Sequence, residues 1–317
     1  MSSDVESRPI QIIADTARLG DPAAAAPPPI SGHGNEEHKL AFSCPVDHQG
    51  TAVYVQGWAR AQSDFAPVIF VHDLAENVEF YEPAARLLVE QGINAFSFDM
   101  RGHGRTTPLA GKMLSFSDLM KDLLQVVAWI RYKSDRRKPI LIGQGAGALL
   151  LLYFQRAHPY YSEACVILAP VFQEQSALPF FSRVLIRTMA LLAPNASLPR
   201  FVLPYFLPMS DDVPLRDSKA RLLISARFAQ ELLEAVHDVD RLFPSIETLN
   251  LLVCPIEDTF YNTARLQDLI RKLGQASAFE LLELPKISAQ ALTRDPSELE
   301  LLMAELIPWI QKHSPKV

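Results

Sequence analysis

A glycine-rich turn, Gly143–Gly147 (GQGAG), lies between the apolar runs PILI and ALLLLYF. Turns of this kind join a strand to a helix, and in many hydrolases the middle residue is a serine that attacks the substrate carbonyl. The middle residue here is Gly145, which has no side chain. Its neighbours Gln144 and Ala146 cannot replace the serine, because neither side chain is a nucleophile at this site. The turn therefore predicts a strand-to-helix connection without a nucleophile.

Apolar runs elsewhere in the chain predict the elements that must hold this turn. Helices are expected at Tyr81–Gln91, Ser115–Lys133 and Pro296–Lys312, and Ser115 with Asp118 forms a capping-box pattern. Early antiparallel strands followed by strand–helix units predict an α/β fold, with a mostly parallel sheet and helices on both faces. Eight runs rich in Val, Ile, Leu and Phe predict the strands: KLAFSC, TAVYVQGWA, PVIFVH, INAFSFD, PILIG, ACVILAP, LNLLVC and FELLEL.

The composition divides the chain into a leader and a larger folded part. Residues 1–36 are Ala/Pro-rich and then polar, which predicts a disordered leader. Its apolar cluster Ile10–Ala14 could dock on a partner, or simply be part of a frayed terminus. Residues 37–317 are expected to form one domain. Within it, about 171–246 lacks a convincing strand pattern and is too long for a bare loop, so we expect a helical cap inserted there.

The cap sequence is dense in apolar residues. Between positions 176 and 209 its only charged residues are Arg183, Arg187 and Arg200. A slightly basic apolar cap could contact acyl chains or the surface of a membrane, or its residues could simply pack on the core below. Phe180, Phe181 and Tyr205 are candidates to line or fill a pocket beneath the cap.

Composition and charge exclude several classes of protein. The formal net charge of −6 indicates no nucleic-acid-binding surface. Three scattered cysteines predict small buried side chains rather than disulfides or a metal site.

The apolar stretch Pro139–Phe154 is shorter than the roughly 18–20 residues of a membrane span. The acidic start of the chain lacks the apolar core of a secretory signal, so a cytoplasmic location is expected. No cofactor is expected, because GQGAG lacks the G-x-G-x-x-G spacing.

Two further motifs carry a family resemblance. His72 and Asp73 follow the run VIFV, and Asp99–Thr106 reads DMRGHGRT. With the glycine turn, these motifs closely resemble the monoacylglycerol lipase and lysophospholipase branch of the α/β-hydrolase superfamily, over about 39–312. The resemblance implies an α/β-hydrolase fold with a helical cap. In the DMRGHGRT turn, Asp99 and Arg101 are expected to fix the loop, and His103 is expected to be structural.

The resemblance also allows the catalytic triad to be tested residue by residue. Family members carry the nucleophilic serine where this chain has Gly145. Their histidine falls within the segment 284–296, which contains no histidine here; the family position corresponds to Ala289 or Gln290. Their acid is retained as Asp258. Two of the three triad positions are therefore degenerate, which predicts little or no ester hydrolysis.

The resemblance places the oxyanion donors at the backbone N–H groups of Leu74 and Ala146. Asp73 stands where the family has glycine, and its negative charge should oppose a developing oxyanion. His72, Asp73 and Gln144 are therefore further candidates for the wall of a pocket.

Three functions remain open at this point. The first is a non-catalytic hydrolase homologue that binds a hydrophobic or lipid-like ligand, or a protein partner. The second is an enzyme with displaced chemistry, and the third is a scaffolding subunit that assembles through the leader or the cap. For the second, the candidate polar residues are Asp73, Glu76, Gln144, Gln290 and Asp258.

Overall fold

The computed structural model describes most of the chain after the leader. The described residues are 38–45, 52–60, 63–74, 76–106, 112–113, 115–170, 178–206, 223–255, 268, 271, 278–293 and 295–314. The leader at 1–36 and the acid candidate Asp258 lie outside these residues, so the expectations placed on them stay predictions.

Ten strands are present among the described residues. They are β1 (His38–Pro45), β2 (Ala52–Ala59), β3 (Val68–Val71), β4 (Ala95–Phe98), β5 (Lys112–Met113), β6 (Ile140–Gln144), β7 (Ala164–Leu168), β8 (Leu223–Ile224), β9 (Leu249–Pro255) and β10 (Phe279–Leu284). Eight of them form one sheet in the order β1-β2-β4-β3-β6-β7-β9-β10. The pairs β1–β2 and β2–β4 are antiparallel, and every other pair in this sheet is parallel. The predicted fold class and all eight predicted strands are confirmed.

Six α-helices accompany the sheet in the described part of the chain. They are α1 (Glu82–Glu90), α2 (Phe116–Lys133), α3 (Ala146–Ala157), α4 (Phe180–Leu192), α5 (Ala226–Asp238) and α6 (Pro296–Lys312). The three helices expected from the apolar period are α1, α2 and α6. The glycine turn joins β6 directly to α3, as its sequence predicts.

The sheet separates two apolar layers, because alternate residues of each strand face opposite sides. In β3, Ile69 and Val71 pack into the layer formed with α2, α3 and the 178–246 region. Val68 and Phe70 pack into the opposite layer, formed with α1 and α6. Burial on both faces explains why the central strands are apolar throughout.

The described residues between 178 and 246 contain α4, α5 and the two-residue strand β8. Strand β8 pairs in parallel with β5 to form a small second sheet. The sequence did not predict this sheet, since two-residue strands are too short to show a period.

The start of α2 differs in one detail from the capping-box expectation. Ser115 is the N-cap, and its side chain accepts a hydrogen bond from Ser117 N. The acidic group at this helix end comes from α5 instead: Glu231 Oε2 accepts from Phe116 N at 2.6 Å and from Ser115 Oγ at 2.9 Å. Asp118, the expected capping acid, pairs with Lys121 at 3.6 Å. A carboxylate near a helix N-terminus is favourable whichever element supplies it.

The cysteine prediction is confirmed. Cys44, Cys165 and Cys254 are free and buried. Burial raises the pKa of each thiol to about 12, so these thiols are not reactive nucleophiles.

Candidate functional site

The candidate site lies where β3 and β6 end. These strands are parallel neighbours, and Val71 is in register with Gly143. The residues that follow each strand therefore meet at the same edge of the sheet. His72 and Asp73 follow β3, while Gly145 and the first turn of α3 follow β6.

Two glycines have different structural roles in the turn after β6. Gly145 has φ 57° and ψ −119°, a left-handed conformation that strains any residue with a side chain. Gly147 lies so close to β3 that a Cβ atom there would be 2.2 Å from the carbonyl oxygen of Val71. The second glycine therefore permits the close approach of α3 and β3 that brings the two strand ends together.

The carboxylate of Asp73 lies inside the turn. Its Oδ1 accepts hydrogen bonds from the backbone N–H of Leu74 at 2.7 Å and of Ala146 at 2.8 Å. These are the two donors that the family resemblance assigns to an oxyanion. Asp73 is 3% exposed. Asp73 therefore lies at the two donors, as expected from its position after His72, and its own oxygen already binds both of them.

The position of Asp73 leaves no room for a side chain at residue 145. A Cβ atom on Gly145 would be 2.2 Å from Asp73 Cγ and 2.4 Å from Oδ1. Unbonded carbon and oxygen atoms do not approach this closely. Any side chain at position 145 therefore requires the carboxylate to leave the two N–H groups.

A second carboxyl group, Glu76, lies beside Asp73. Its Oε2 accepts from Asp73 N at 3.1 Å and from the Tyr81 hydroxyl at 2.7 Å. Its Oε1 accepts from Gln144 Nε2 at 3.0 Å and from Thr293 Oγ1 at 2.9 Å. Glu76 therefore connects β3, β6 and the segment before α6.

Burial, and after it the nearby charge of Asp73, raise the pKa of Glu76 to about 7. The hydrogen bonds donated by Tyr81, Asp73 N and Thr293 act in the opposite direction. Burial and the neighbouring Glu76 raise the pKa of the Tyr81 hydroxyl well above its usual value, so this hydroxyl remains a donor. The site thus holds two adjacent carboxyl groups, of which Glu76 titrates near neutral pH.

The profile of the serine aminopeptidase S33 family matches residues 62–302, which is most of the chain. The chain belongs to the serine aminopeptidase S33 family. It is an α/β-hydrolase of the lipase and esterase type, as the DMRGHGRT and GQGAG motifs indicate.

Individual relatives of this S33-family protein agree with that assignment. It is 24% identical over 220 residues to a monoglyceride lipase homologue of monkeypox virus, covering 68% of this chain and 78% of the relative. It is 22% identical over 212 residues to human monoglyceride lipase, covering 66% and 70%. The structure of the monoacylglycerol lipase of Paleococcus ferrophilus has the same fold, with a TM-score of 0.69 at 20% identity; the match covers 83% of this chain and 99% of the other.

Two histidines of the S33-family protein are buried in the loops beside the site. His72 Nε2 accepts from Met100 N at 2.9 Å, so its Nδ1 donates to the Asp73 carbonyl at 2.7 Å. Burial, with the nearby His103, lowers the pKa of His72 well below its usual value. His72 is therefore neutral, and both of its ring nitrogens are used in holding the backbone. The ring of His103 packs edge-on against that of His72 at 4.8 Å.

The DMRGHGRT turn is held by charged groups, as expected. Asp99 accepts from Val78 N at 2.8 Å and from Arg105 N at 2.7 Å. Arg101 donates from two guanidinium nitrogens to Asp122 of α2, at 2.5 and 2.7 Å. These contacts fix the loop beside His72.

The segment assigned to the missing histidine reaches the site through a residue that the sequence reasoning missed. Thr293 donates to Glu76, whereas Ala289 is buried and Gln290 is half-buried. Gln290 accepts at its carbonyl from Thr293 Oγ1 at 3.3 Å. Threonine is common in loops, so no sequence signal marked Thr293.

The aromatic pocket candidates lie at the start of α4 and in the turn that follows it. Phe180 is 68% exposed and Phe181 is 84% exposed, so neither side chain fills a pocket, and their role as lining residues stays a prediction. Tyr205 is half-buried and packs against the core.

The described residues contain neither a metal-binding cluster nor a membrane-spanning helix. No group of three or more His, Cys, Asp or Glu side chains there could hold a metal ion. Within the same part of the chain, no helix is both long enough and apolar enough to span a membrane.

Proposed function

We propose that this protein is a catalytically inactive member of its hydrolase family that binds a hydrophobic, lipid-like ligand. The observation that carries the proposal is the place of Gly145. The nucleophile position has no side chain, and the space that a side chain would need is filled by the Asp73 carboxylate.

Ester hydrolysis on this fold needs a base as well as a nucleophile. The family segment for the histidine, 284–296, contains none. His72 does not substitute, since it uses both ring nitrogens in contacts to the backbone. His103 is buried, and its Nδ1 contacts the Arg101 carbonyl at 3.2 Å. Loss of the nucleophile and the base together leaves at most the small residual rate of a triad-deficient hydrolase.

The cap supports the choice of a hydrophobic ligand. Six large apolar side chains on or near α4 are exposed: Phe180, Phe181, Val184, Leu191, Leu192 and Phe201. An apolar surface of this kind is typical of binding sites for lipids, membranes or protein partners. Monoglyceride lipases among the relatives make an acylglycerol-like ligand the first choice, with peripheral contact to a membrane or a protein partner as further uses of the same surface.

Hydrolysis is tested with monoacylglycerols and nitrophenyl esters. We expect turnover no higher than that of the heat-denatured protein. Turnover at enzyme-like rates that survives further purification and is abolished by Asp73→Ala or Asp258→Ala would contradict the proposal. Turnover unaffected by both changes would come from a contaminant or another site.

Ligand binding is tested by mass spectrometry of lipids that co-purify with the native protein. We expect bound lipid in the wild type and less in the variant Phe180→Ser/Phe181→Ser. Leu301→Ser is the matched control, because Leu301 is also exposed and apolar but lies on α6, outside the cap. Equal lipid in all three proteins would contradict binding through the cap.

A second candidate function is different chemistry at the same edge of the sheet. It is favoured by Glu76, whose pKa of about 7 suits a general acid or base. Asp73 and Gln144, two other candidates from the sequence, contact Glu76. This function would be established by a reaction that Glu76→Gln abolishes and that the control Asp118→Asn, in the first turn of α2, leaves unchanged.

A further inference from the structure

We propose that Asp73 is a built-in ligand of the oxyanion site, and that its carboxylate closes the site to carbonyl and carboxylate groups of other molecules. This goes beyond the absence of a nucleophile. A hydrolase that has only lost its serine would still offer two backbone donors to an acyl oxygen. Here both donors already hold an oxygen of the protein itself.

The contacts to the carboxylate are those of an anion site. One oxygen of Asp73 receives two backbone N–H groups, at 2.7 and 2.8 Å, from two different strand ends. One donor is Ala146, the first residue of α3, where the helix dipole favours negative charge. The residue is almost completely enclosed. An external oxygen can reach these donors only by displacing that of Asp73.

The backbone of Asp73 is fixed by its neighbours, which keeps the carboxylate in place. Its N–H donates to Glu76 Oε2 at 3.1 Å, and its carbonyl contacts His72 Nδ1 at 2.7 Å and accepts from Glu76 N at 3.3 Å. The oxyanion site is therefore filled by a side chain held through its own backbone, and not by a mobile surface residue.

Gly145 and Asp73 are sterically linked. The carboxylate lies where a Cβ atom of residue 145 would point, at 2.2 Å from Asp73 Cγ. A serine at 145 and the present position of Asp73 cannot coexist. The two departures from the family pattern, glycine for serine at 145 and aspartate for glycine at 73, are thus parts of one arrangement.

The first test measures anion binding directly, with acetate as the probe. Amide NMR signals of Leu74 and Ala146 are followed during titration of the wild type, Asp73→Ala and Asp73→Asn. We expect saturable shifts of these two signals only in Asp73→Ala, because the asparagine oxygen can still accept from both N–H groups. Wild-type shifts as large as those of Asp73→Ala, or no saturable shift in a folded Asp73→Ala variant, would overturn the proposal.

The second test does not require Asp73→Ala to fold. Gly145→Ala and Gly92→Ala both place a side chain at positive φ, +57° and +77°, but a Cβ atom on Gly92 would meet nothing within 4 Å. We expect Gly145→Ala to lower the melting temperature by at least twice as much as Gly92→Ala. Equal losses would show that the carboxylate does not occupy the space and would overturn the proposal, whatever the protein hydrolyses.

Discussion

At the scale of single residues, the chemistry of the site depends on which atom accepts hydrogen bonds from the N–H groups of Leu74 and Ala146. A serine hydrolase leaves these donors for the substrate, whereas this protein directs Asp73 Oδ1 at both. Burying a carboxylate is costly unless hydrogen bonds compensate, and two backbone donors with a helix N-terminus provide that compensation. A serine introduced at position 145 would therefore still face two N–H groups that are already bound to Asp73.

The first residue-scale prediction concerns this repair. Gly145→Ser is expected to lower stability, because the new side chain displaces the Asp73 carboxylate and occupies a strained conformation that costs about 1–3 kcal/mol. Asp73→Gly/Gly145→Ser removes the displaced carboxylate and should melt at a higher temperature than Gly145→Ser. Neither variant should hydrolyse esters, since 284–296 contains no histidine. Thermal denaturation and an ester assay check both statements, and substantial activity of Gly145→Ser would show that the base has been misplaced.

The second residue-scale prediction concerns pH. Glu76 has a pKa of about 7 in the folded protein against an ordinary value of 4.5. Between these values the folded state keeps a proton that the unfolded state has released, so stability falls as pH rises from 4.5 to 7. Glu76→Gln should reduce this fall by roughly 1–3 kcal/mol. Burial raises the pKa of Asp99 to about 6. In Glu76→Gln the stability should therefore still fall with rising pH, but by a smaller amount. Urea denaturation across this pH range measures both, and an unchanged slope in Glu76→Gln would contradict the assignment.

At the scale of elements, the loop after β4 is tied to α2 by one buried ion pair. Arg101 is 16% exposed and Asp122 is fully buried, and the pair is bidentate. This contact supports the loop whose Met100 N–H holds His72. The position of the strand ends therefore depends on a helix that contributes no residue to the site.

The element-scale prediction compares two acids of α2. Asp122→Ala should cost about 3–5 kcal/mol, because it leaves the Arg101 charge partly buried without its partner. Asp118→Ala removes a carboxylate in the first turn of α2 and its pair with the exposed Lys121, and should cost less than about 1 kcal/mol. Chemical denaturation gives both values, and similar costs for the two variants would contradict the role of the buried pair.

At the scale of the whole molecule, six of the ten large apolar side chains that are exposed among the described residues lie between positions 180 and 201. Phe181, Leu191 and Leu192 are each more than three-quarters exposed, at 84%, 76% and 81%. Exposed phenylalanine and leucine side chains contribute little to folding and lower solubility, so their presence on the surface needs another explanation. A ligand, membrane or partner that covers the cap is the explanation that we propose.

The whole-molecule prediction separates binding from folding. Phe181→Ser should change the free energy of unfolding by less than about 0.5 kcal/mol, as expected for an exposed position. The same change should weaken binding to phosphatidylcholine/phosphatidylserine vesicles, measured by sedimentation against the control Leu301→Ser. Weakened binding together with a large loss of stability would instead assign Phe181 to the core.

The sequence by itself predicted the eight-stranded sheet and the strand-to-helix turn, and it places glycine at position 145 and no histidine within 284–296. These features depend on local patterns: apolar runs, glycine spacing and short motifs. The tertiary structure alone decided what lies in place of the serine and the histidine. Ala146 lies 73 residues from Asp73, and Thr293 lies 217 residues from Glu76. The contact between Asp73 and Ala146 forms because β3 and β6 are adjacent and parallel, and the contact between Glu76 and Thr293 forms because the segment before α6 reaches the same edge of the sheet. No local sequence pattern specifies that a distant segment will supply a donor.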